Sequence, residues 1–462
     1  MQLSIVNRSK LNPESRLDSE YYKPLALVAE ERVKSRPHRL SSKLFHVYSG
    51  PFGSTVTTDK YDQATNLRYI RGKDVYDFFI DNSEPVNIQK SLFDRLTQYH
   101  LRPKDILITV VGMNFGKSAL VFSDDCPAIF SCKSSLIRNI KINPYYLTAY
   151  FSCKYGYALI RRGQRGAAQP GINLFDLKNI PIPIVSNDFQ DEIEKLVLKS
   201  REIRWNSAKE YNKAEQLLLS ELGLQDWKPF HTLAYVRNYS QLAQVRRMDA
   251  EYFQPVYQTM FDRLNSSVRL DHLGKLTTYT KGVEVGRSAY VDSGIPFWRV
   301  SNLTKHGLND SGLNYISEEL YDSLRLDSEP QRGEILLSKD ATPGIAYYLE
   351  SRIQGIVSSG ILRLTITNDI PPHYLELALD SLLVQMQIQQ DAGGSVIKHW
   401  KPSEVRKTLI PRLSPAREVE IAGLVQQSHA ARREAKVILE KAMRAVETAV
   451  KEGEAKAIEF IR

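Results

Sequence analysis

The chain has 462 residues, 42% hydrophobic and 25% charged. This excludes a disordered polymer, and the length exceeds one ordinary core, so two or three domains are expected. The formal net charge of +9 suits a polyanion-binding surface as well as it suits an ordinary basic cytoplasmic protein.

The N-terminal "MQLSIVNRSKLNPESRLD" has no apolar core for a signal peptide, and no run of apolar residues is long enough to span a membrane. A soluble, cytoplasmic protein with no membrane partner is expected. Residues 1–185 read as a mixed, strand-rich domain. Short apolar runs such as "ILITVV" are bounded by Gly, Pro, Asn and Asp, as strands and turns are. "NPYYLTAYFSCKYGYALIRR" reads as helix opened by a first-turn proline. The cysteines in this region, Cys126, Cys132 and Cys153, match no zinc spacing, and an odd count argues against a disulfide framework. Inert thiols in a reducing compartment are expected.

Residues 186–223 read as one long helix, near Asp188–Leu222, ended by Gly223. A linker, 224–245, leads to a second mixed domain, 246–413, with "EILLS" as a strand and "PPHYLELALDSLLVQMQIQQ" as helix. A second long helix, near Ala416–Gly453, fills 414–462. Each long helix carries a 3-4 seam. The first holds Phe189, Ile193, Leu196, Ser200, Ile203, Ser207, Tyr211, Ala214 and Leu218. The second holds Ile421, Leu424, Ser428, Ala431, Ala435, Ile438, Ala442 and Ala445. The spacing is that of a coiled coil, and small residues at matching positions allow the two helices to pair closely.

The chain repeats itself once. "RLDSEYYKP" at Arg16–Pro24 returns as "RMDAEYFQP" at Arg247–Pro255. "RYIRGKDV" aligns with "PFWRVSNL", pairing Arg71 with Arg299. "KDILITVVGMNFGKSALVF" aligns with "GEILLSKDATPGIAYYL", "SSLIR" with "SGILR", "NPYYL" with "PPHYL", and "NIPIP" with "TLIPR". One nearly constant offset relates all these segments.

The repeat decides how to read Gly112–Ser118, which looks like the phosphate-binding pattern G-x-x-x-x-G-K-[ST]. The loop is one residue short, with Val111 where the first Gly belongs. The second copy has Ile345 and Ala346 where Lys117 and Ser118 stand. What both copies keep is an acidic residue, a strand and a turn glycine, so the segment reads as strand, turn, strand. A P-loop NTPase remains as a minor alternative, and no cofactor is expected.

"KDILITVVGMNFGKSALV" resembles the "G-D-I-L-[IL]-[ST]-x-x-G-x-x-G-[KR]-x-A-x-V" segment of target recognition domains in specificity subunits of type I restriction-modification systems. "GIPFWRVSNLTKHG" resembles their "P-[FY]-[IL]-R-x-x-[ND]-[IL]" segment. "GGSVIKHWKPSEVRKTLIPRLSPAREVEIAGLV" resembles the passage from such a domain into its helical spacer. The first half keeps this last pattern loosely, in "QRGAAQPGINLFDLKNIPIPIVSNDFQDEIEKLV". The order domain, helix, domain, helix is similar as well.

The resemblance implies an α+β fold: two similar mixed α/β target recognition domains joined by two long antiparallel coiled-coil spacer helices, with pseudo-twofold symmetry. It implies a non-catalytic DNA-reading subunit on which two adenine methyltransferase subunits, and motor-nuclease subunits, assemble. Each domain would read one half of a split, asymmetric duplex target. A helix of about 35 residues spans roughly 50 Å at about 1.5 Å per residue. At about 3.4 Å per base pair, this caps the separation of half-site centres at roughly 15 base pairs.

The residues agree with a non-enzyme. "NPYYL" and "PPHYL" lack the polar-Pro-Pro-aromatic motif of an amino-methyltransferase. The pairing of Glu334 with Lys339, which could suggest a nuclease, has no counterpart in the first copy. The nine histidines stand at no metal-ligand spacing. Arg and Lys suit guanine, and Asn and Gln suit adenine, through paired hydrogen bonds in the major groove. Candidate DNA-reading residues are therefore Arg71, Lys73, Asn114, Lys117, Gln164, Arg165 and Gln169 in the first domain. In the second they are Lys281, Arg287, Arg299, Asn302, Lys339, Lys398, His399 and Trp400. Arg71 and Arg299, aligned in both copies, hold structure or touch phosphate as readily as they specify sequence. The competing reading is a scaffold of two sheet domains on a coiled coil that binds proteins and not DNA.

Overall fold

In the computed structural model, the apolar run Ile106–Thr109 is buried at every position, as a strand covered on both faces must be. The structure describes residues 5–6, 11, 16–112, 115–166, 170–245, 247–310, 312–392 and 399–462. The chain forms two units, 1–202 with 434–462, and 203–433.

In the first unit, β1 (His46–Ser49), β3 (Ile106–Thr109), β4 (Ser118–Leu120) and β6 (Ser134–Arg138) form an antiparallel sheet in the order β1-β6-β3-β4. A parallel pair, β2 (Arg68–Ile70) with β5 (Ala128–Phe130), stands apart from it. The two faces of β3 enter different cores. Ile106 and Ile108 pack with Val33, Tyr146, Phe151 and Leu159 from the helices Pro24–Lys34, Pro144–Ser152 and Lys154–Arg162. Leu107 packs with Ile70 and Phe130 from the parallel pair. The helix at Pro144 starts where Asn143 Oδ1 accepts the Tyr145 N–H at 2.9 Å.

The second unit repeats this topology, except that Tyr290–Val291 and Asn314–Ile316 extend its parallel pair to four strands. Its sheet has the order β7 (Thr277–Lys281), β12 (Ile361–Ile366), β9 (Glu334–Ser338), β10 (Ala346–Tyr348). Its parallel pair is β8 (Ile295–Trp298) with β11 (Ile356–Val357). The registers correct one segment of the sequence alignment. Val110 N–H donates to the Lys133 carbonyl and Lys339 N–H to that of Gly360, so Ser131 corresponds to Ser358. "SSLIR" is therefore displaced by two residues from "SGILR". The aligned serines were misleading because both segments are serine-rich.

Repeated residues make repeated bonds. Asp105 Oδ2 accepts the Arg102 N–H at 2.8 Å, and Glu334 Oε2 accepts the Gln331 N–H at 2.8 Å. These acids close the turn before β3 and β9. Arg16 binds Asp18 and the Gln164 carbonyl, while Arg247 binds Asp249 and the Asp391 carbonyl. In each copy the guanidinium also lies over an aromatic ring, Tyr21 at 4.6 Å and Tyr252 at 4.3 Å. The "R-x-D-x-E-Y" signature thus ties the start of each copy to the end of a helix pair.

The long helices run Asn187–Leu222 and Pro415–Glu452. Gly223 closes the first with φ +76°. Within each unit the two helices pair antiparallel. In the first unit Ser200 meets Ala435 and, just beyond the helix ends, Ser186 meets Glu454; in the second Ser207 meets Ser428 and Glu221 meets Arg417. Most expected seam residues are buried, but Leu196, Ile203, Ala431 and Ile438 stay partly exposed. Val197, Val425, Leu439 and Val446 are buried instead. A helix with 3.6 residues per turn drifts from a 3.5-residue seam, and these helices also pack on the domain cores. Among the described residues, no helix is long and apolar enough to cross a membrane.

Candidate nucleic-acid interface

Several of the candidate DNA-reading residues converge where the strands of each sheet end. In the second unit the turn at Gly360–Ile361 accepts Gly282 N–H on one side and Lys339 N–H on the other. Lys281 ends β7 and is exposed. Lys339 follows β9, and its ammonium binds Asp340; the Asp340 carboxylate also receives His399 Nδ1 at 2.8 Å. His399 is 62% exposed on its side chain, whereas Lys339 is mostly covered. Asp340 thus holds two basic side chains at one edge. Arg287 is exposed on a short turn, 287–289.

In the first unit the same edge is built differently. Gly171–Ile172 pairs with Gln164–Arg165 on one side, and Ile172 N–H donates to Val110 on the other. Gln164 and Arg165 are thereby placed beside the loop after β3. Arg165 reaches Asp176 at 3.3 Å. Lys117 lies 3.1 Å from Asp77 and 5.7 Å from the Tyr76 ring centroid. Lys73 is exposed and bonds Glu84 at 2.9 Å. Gly72 sits so close to the sheet that a Cβ there would lie 2.8 Å from Lys133 Cβ. This brings Lys73 and Lys133 to one place. Lys133 is exposed and was not among the sequence candidates. Its counterpart is Gly360, so the repeat carried no signal for it. Asn114, Gln169 and Lys398 lie outside the described residues.

Four candidates turn inward. Arg71 donates to both Asp74 oxygens, at 2.9 and 2.8 Å, and to the Glu84 carbonyl at 2.6 Å. Arg299 donates to the Gly312 carbonyl at 3.0 Å. Both arginines close the same loop in the two copies. Asn302 is fully buried; its Oδ1 accepts the Arg299 N–H at 3.2 Å and its amide donates to Asn309. Trp400 is 1% exposed within the second unit's main core. The expectation that Asn302 and Trp400 read bases is corrected: a side chain enclosed by its own domain presents no edge to a duplex.

The loop after β3 leads into β4, not into the helix whose N-terminus a P-loop places at its phosphates. Glu334 closes a turn and lies 3.7 Å from Arg363, while Lys339 is engaged by Asp340. Neither pair makes a catalytic constellation.

The histidines are less scattered than their spacing suggested. His373 Nδ1 lies 2.8 Å from Glu376 Oε2, and His429 Nε2 lies 3.0 Å from Glu376 Oε1. All three are buried. Burial opposes charge on Glu376, but the bonds from both imidazoles outweigh it and hold the carboxyl below its ordinary range. One local signal existed, an i, i+3 His–Glu pair on a helix; the third member comes from the second long helix.

No protein-family model matches the chain, and no curated protein matches it. Solved structures do. The chain is similar to S subunits of type I restriction-modification systems. The S subunit from M. genitalium is 14% identical, over 90% of this chain and 94% of that chain, with a TM-score of 0.39. The HsdS subunit from Thermoanaerobacter tengcongensis is 14% identical over 91% and 96%, with a TM-score of 0.27. A chain from a structure concerned with complex assembly and conformational transition of the type I R-M system is 16% identical over 92% and 99%, with a TM-score of 0.27.

Proposed function

We propose that this chain is the DNA-specificity subunit of a type I restriction-modification complex, reading a split duplex target and positioning adenine methyltransferase subunits on it. The observation that carries this reading is the duplicated unit. One strand order and one set of structural bonds are built twice, while the basic residues at the sheet ends differ between copies. Lys281, Lys339 and His399 stand in one unit; Lys73, Lys133 and the Gln164–Arg165 segment stand in the other. A repeated scaffold with unlike reading edges is what two unlike half-sites require. Phosphate contacts would give affinity and the edge residues sequence preference. In this reading residues 1–185 and 246–413 are the recognition domains, 186–223 and 414–462 the spacers. On the same reading the chain performs no chemistry of its own, and motor-nuclease subunits are further candidate partners of the same assembly.

The test is methylation mapping. The chain is co-expressed with an adenine methyltransferase encoded beside it, and modified adenines are read across the host genome. A motif of two unlike parts, each lost on deletion of one domain, is expected. A methylation pattern unchanged by removing the chain overturns the reading and returns the protein scaffold to first place.

A further inference from the structure

We propose that His373, Glu376 and His429 form a zinc-binding site inside the second unit, with Glu350 orienting His373. His373 and Glu376 lie on the helix Pro372–Asp380, and His429 faces them from the second long helix. The three candidate ligand atoms lie within 4.8 Å of one another. Two imidazoles and one carboxylate are a donor set that zinc favours. A tetrahedral zinc with bonds of about 2.0–2.1 Å holds its ligand atoms about 3.3 Å apart. His373 Nδ1 and His429 Nε2 lie 2.8 and 3.0 Å from the two Glu376 oxygens, and the whole set lies within 4.8 Å, so the side chains close round one ion by rotating and shifting rather than by a change of fold. His373 Nε2 lies 3.2 Å from Glu350 Oε1. A carboxylate accepting from the far nitrogen leaves Nδ1 as the ligand atom and fixes the ring, as supporting carboxylates do in metal sites. His429 Nδ1 has no hydrogen-bond partner among the described residues, so Glu376 is that ring's polar anchor. A surface cavity of about 410 Å³, lined in part by Glu350, His373 and Gln426, supplies an entry path.

The repeat is an internal control. Tyr374 and Tyr146 donate alike to Pro411 and Pro183, which aligns the two helices residue by residue. His373 then corresponds to Tyr145, Glu376 to Thr148, His429 to Arg201 and Glu350 to Phe122. In the first unit that place is an aromatic cluster, with the Arg201 guanidinium 4.0 Å over the Phe122 ring and Phe122 edge-to-face with Tyr145 at 6.2 Å. The fold therefore closes without the two imidazoles and the buried carboxylate. Enclosing a carboxylate is costly unless something compensates its charge; the two imidazole bonds do so in this structure, and a divalent cation held by the same three groups would do so in their place. The inference concerns the second unit alone and holds whether or not the chain reads DNA.

The experiment uses the full chain, stripped with a chelator and titrated with Zn²⁺ against a chromophoric competitor, then with Co²⁺ to record visible absorption. One equivalent of tight binding and tetrahedral cobalt bands are expected. His429→Ala is expected to weaken binding about 100-fold or more. Single variants can unfold, so the decisive comparison is the triple variant His373→Tyr, Glu376→Thr, His429→Arg, which installs the first unit's residues. It should stay folded and lose both the bound metal and the zinc-induced rise in Tm. No stoichiometric binding by the parent chain, or undiminished binding by the folded triple variant, overturns the proposal. The latter result would place the metal on other residues.

Discussion

Ser207 Oγ donates to the Ser428 carbonyl at 2.9 Å, and the two hydroxyl oxygens lie 3.0 Å apart. Both residues are buried. The first unit has the same contact in Ser200, whose hydroxyl donates to the Ala435 carbonyl at 2.9 Å. Small side chains let the helix backbones approach, and the hydroxyl is satisfied by the helix it touches. Ser207→Ala should cost about 1 kcal/mol, one buried hydrogen bond. Ser207→Leu should cost about 2–3 kcal/mol, because the added carbons have no space between paired helices. Urea unfolding of the full chain measures both. A leucine variant as stable as the parent would show that the helices are not held this close.

The basic residues divide into those that hold loops and those that face outward, and two measurements separate them. Arg71→Ala leaves the Asp74 carboxylate, 6% exposed, without its fork of donors. It should lower stability by about 2–3 kcal/mol. Lysine should rescue little, since it cannot make both bonds. Lys281→Ala should leave Tm unchanged and flatten the salt dependence of duplex binding by about one unit of slope. Equal loss of stability in both variants would contradict the division.

The repeat explains what could be read from the sequence. Asp105 and Glu334, Arg16 and Arg247, and Gly116 and Gly344 recur because each makes a local bond or turn that every copy needs. The second copy likewise argued against a phosphate loop, since Ile345 cannot do what Lys117 would. Asn302 was misread because amide chemistry suits a base edge equally well. Its counterpart Asp74 was the clue, for both oxygens accept the N–H three residues back. The depth of Trp400 and the meeting of His373 with His429 depend on packing between distant segments, which no local pattern encodes. Lys133 escaped notice because a residue confined to one copy leaves no repeat to align.

Asp391 ends the helix Leu382–Asp391, and burial, reinforced by the negative charge of Glu404, pushes its carboxyl up to about 6. Below about pH 3.9 the group is protonated in both folded and unfolded chains. As pH rises toward 6, the unfolded chain releases a proton that the folded chain retains. Stability from this site is therefore present at low pH and lost as pH climbs through the folded value. Asp391→Asn keeps the neutral form and the main-chain carbonyl that Arg247 binds. It should stabilise the protein by about 1–2 kcal/mol at pH 7.5, discounted for partial exposure, and change almost nothing near about pH 3. A gain independent of pH would mean that titration of this group is not responsible.

Gly282 and Gly50 are tested by contrast with Gly423. A Cβ on Gly282 would lie 2.1 Å from the Ser358 carbonyl oxygen, and one on Gly50 would lie 2.4 Å from that of Ser131. In each case the obstacle is backbone, which cannot swing aside. The matching positions make this approach part of the scaffold, at the strand end that carries Lys281. Gly423 sits inside the second long helix with nothing within 4 Å of a Cβ. Gly282→Ala should therefore cost about 2–3 kcal/mol, in the range of overpacked sites. Gly423→Ala should gain about 0.5–1 kcal/mol, because alanine loses less backbone freedom on entering a helix. Thermal unfolding of the two variants beside the parent should move Tm in opposite directions. A Gly282→Ala protein with unchanged Tm would show that β7 and the turn before β12 do not pack this closely.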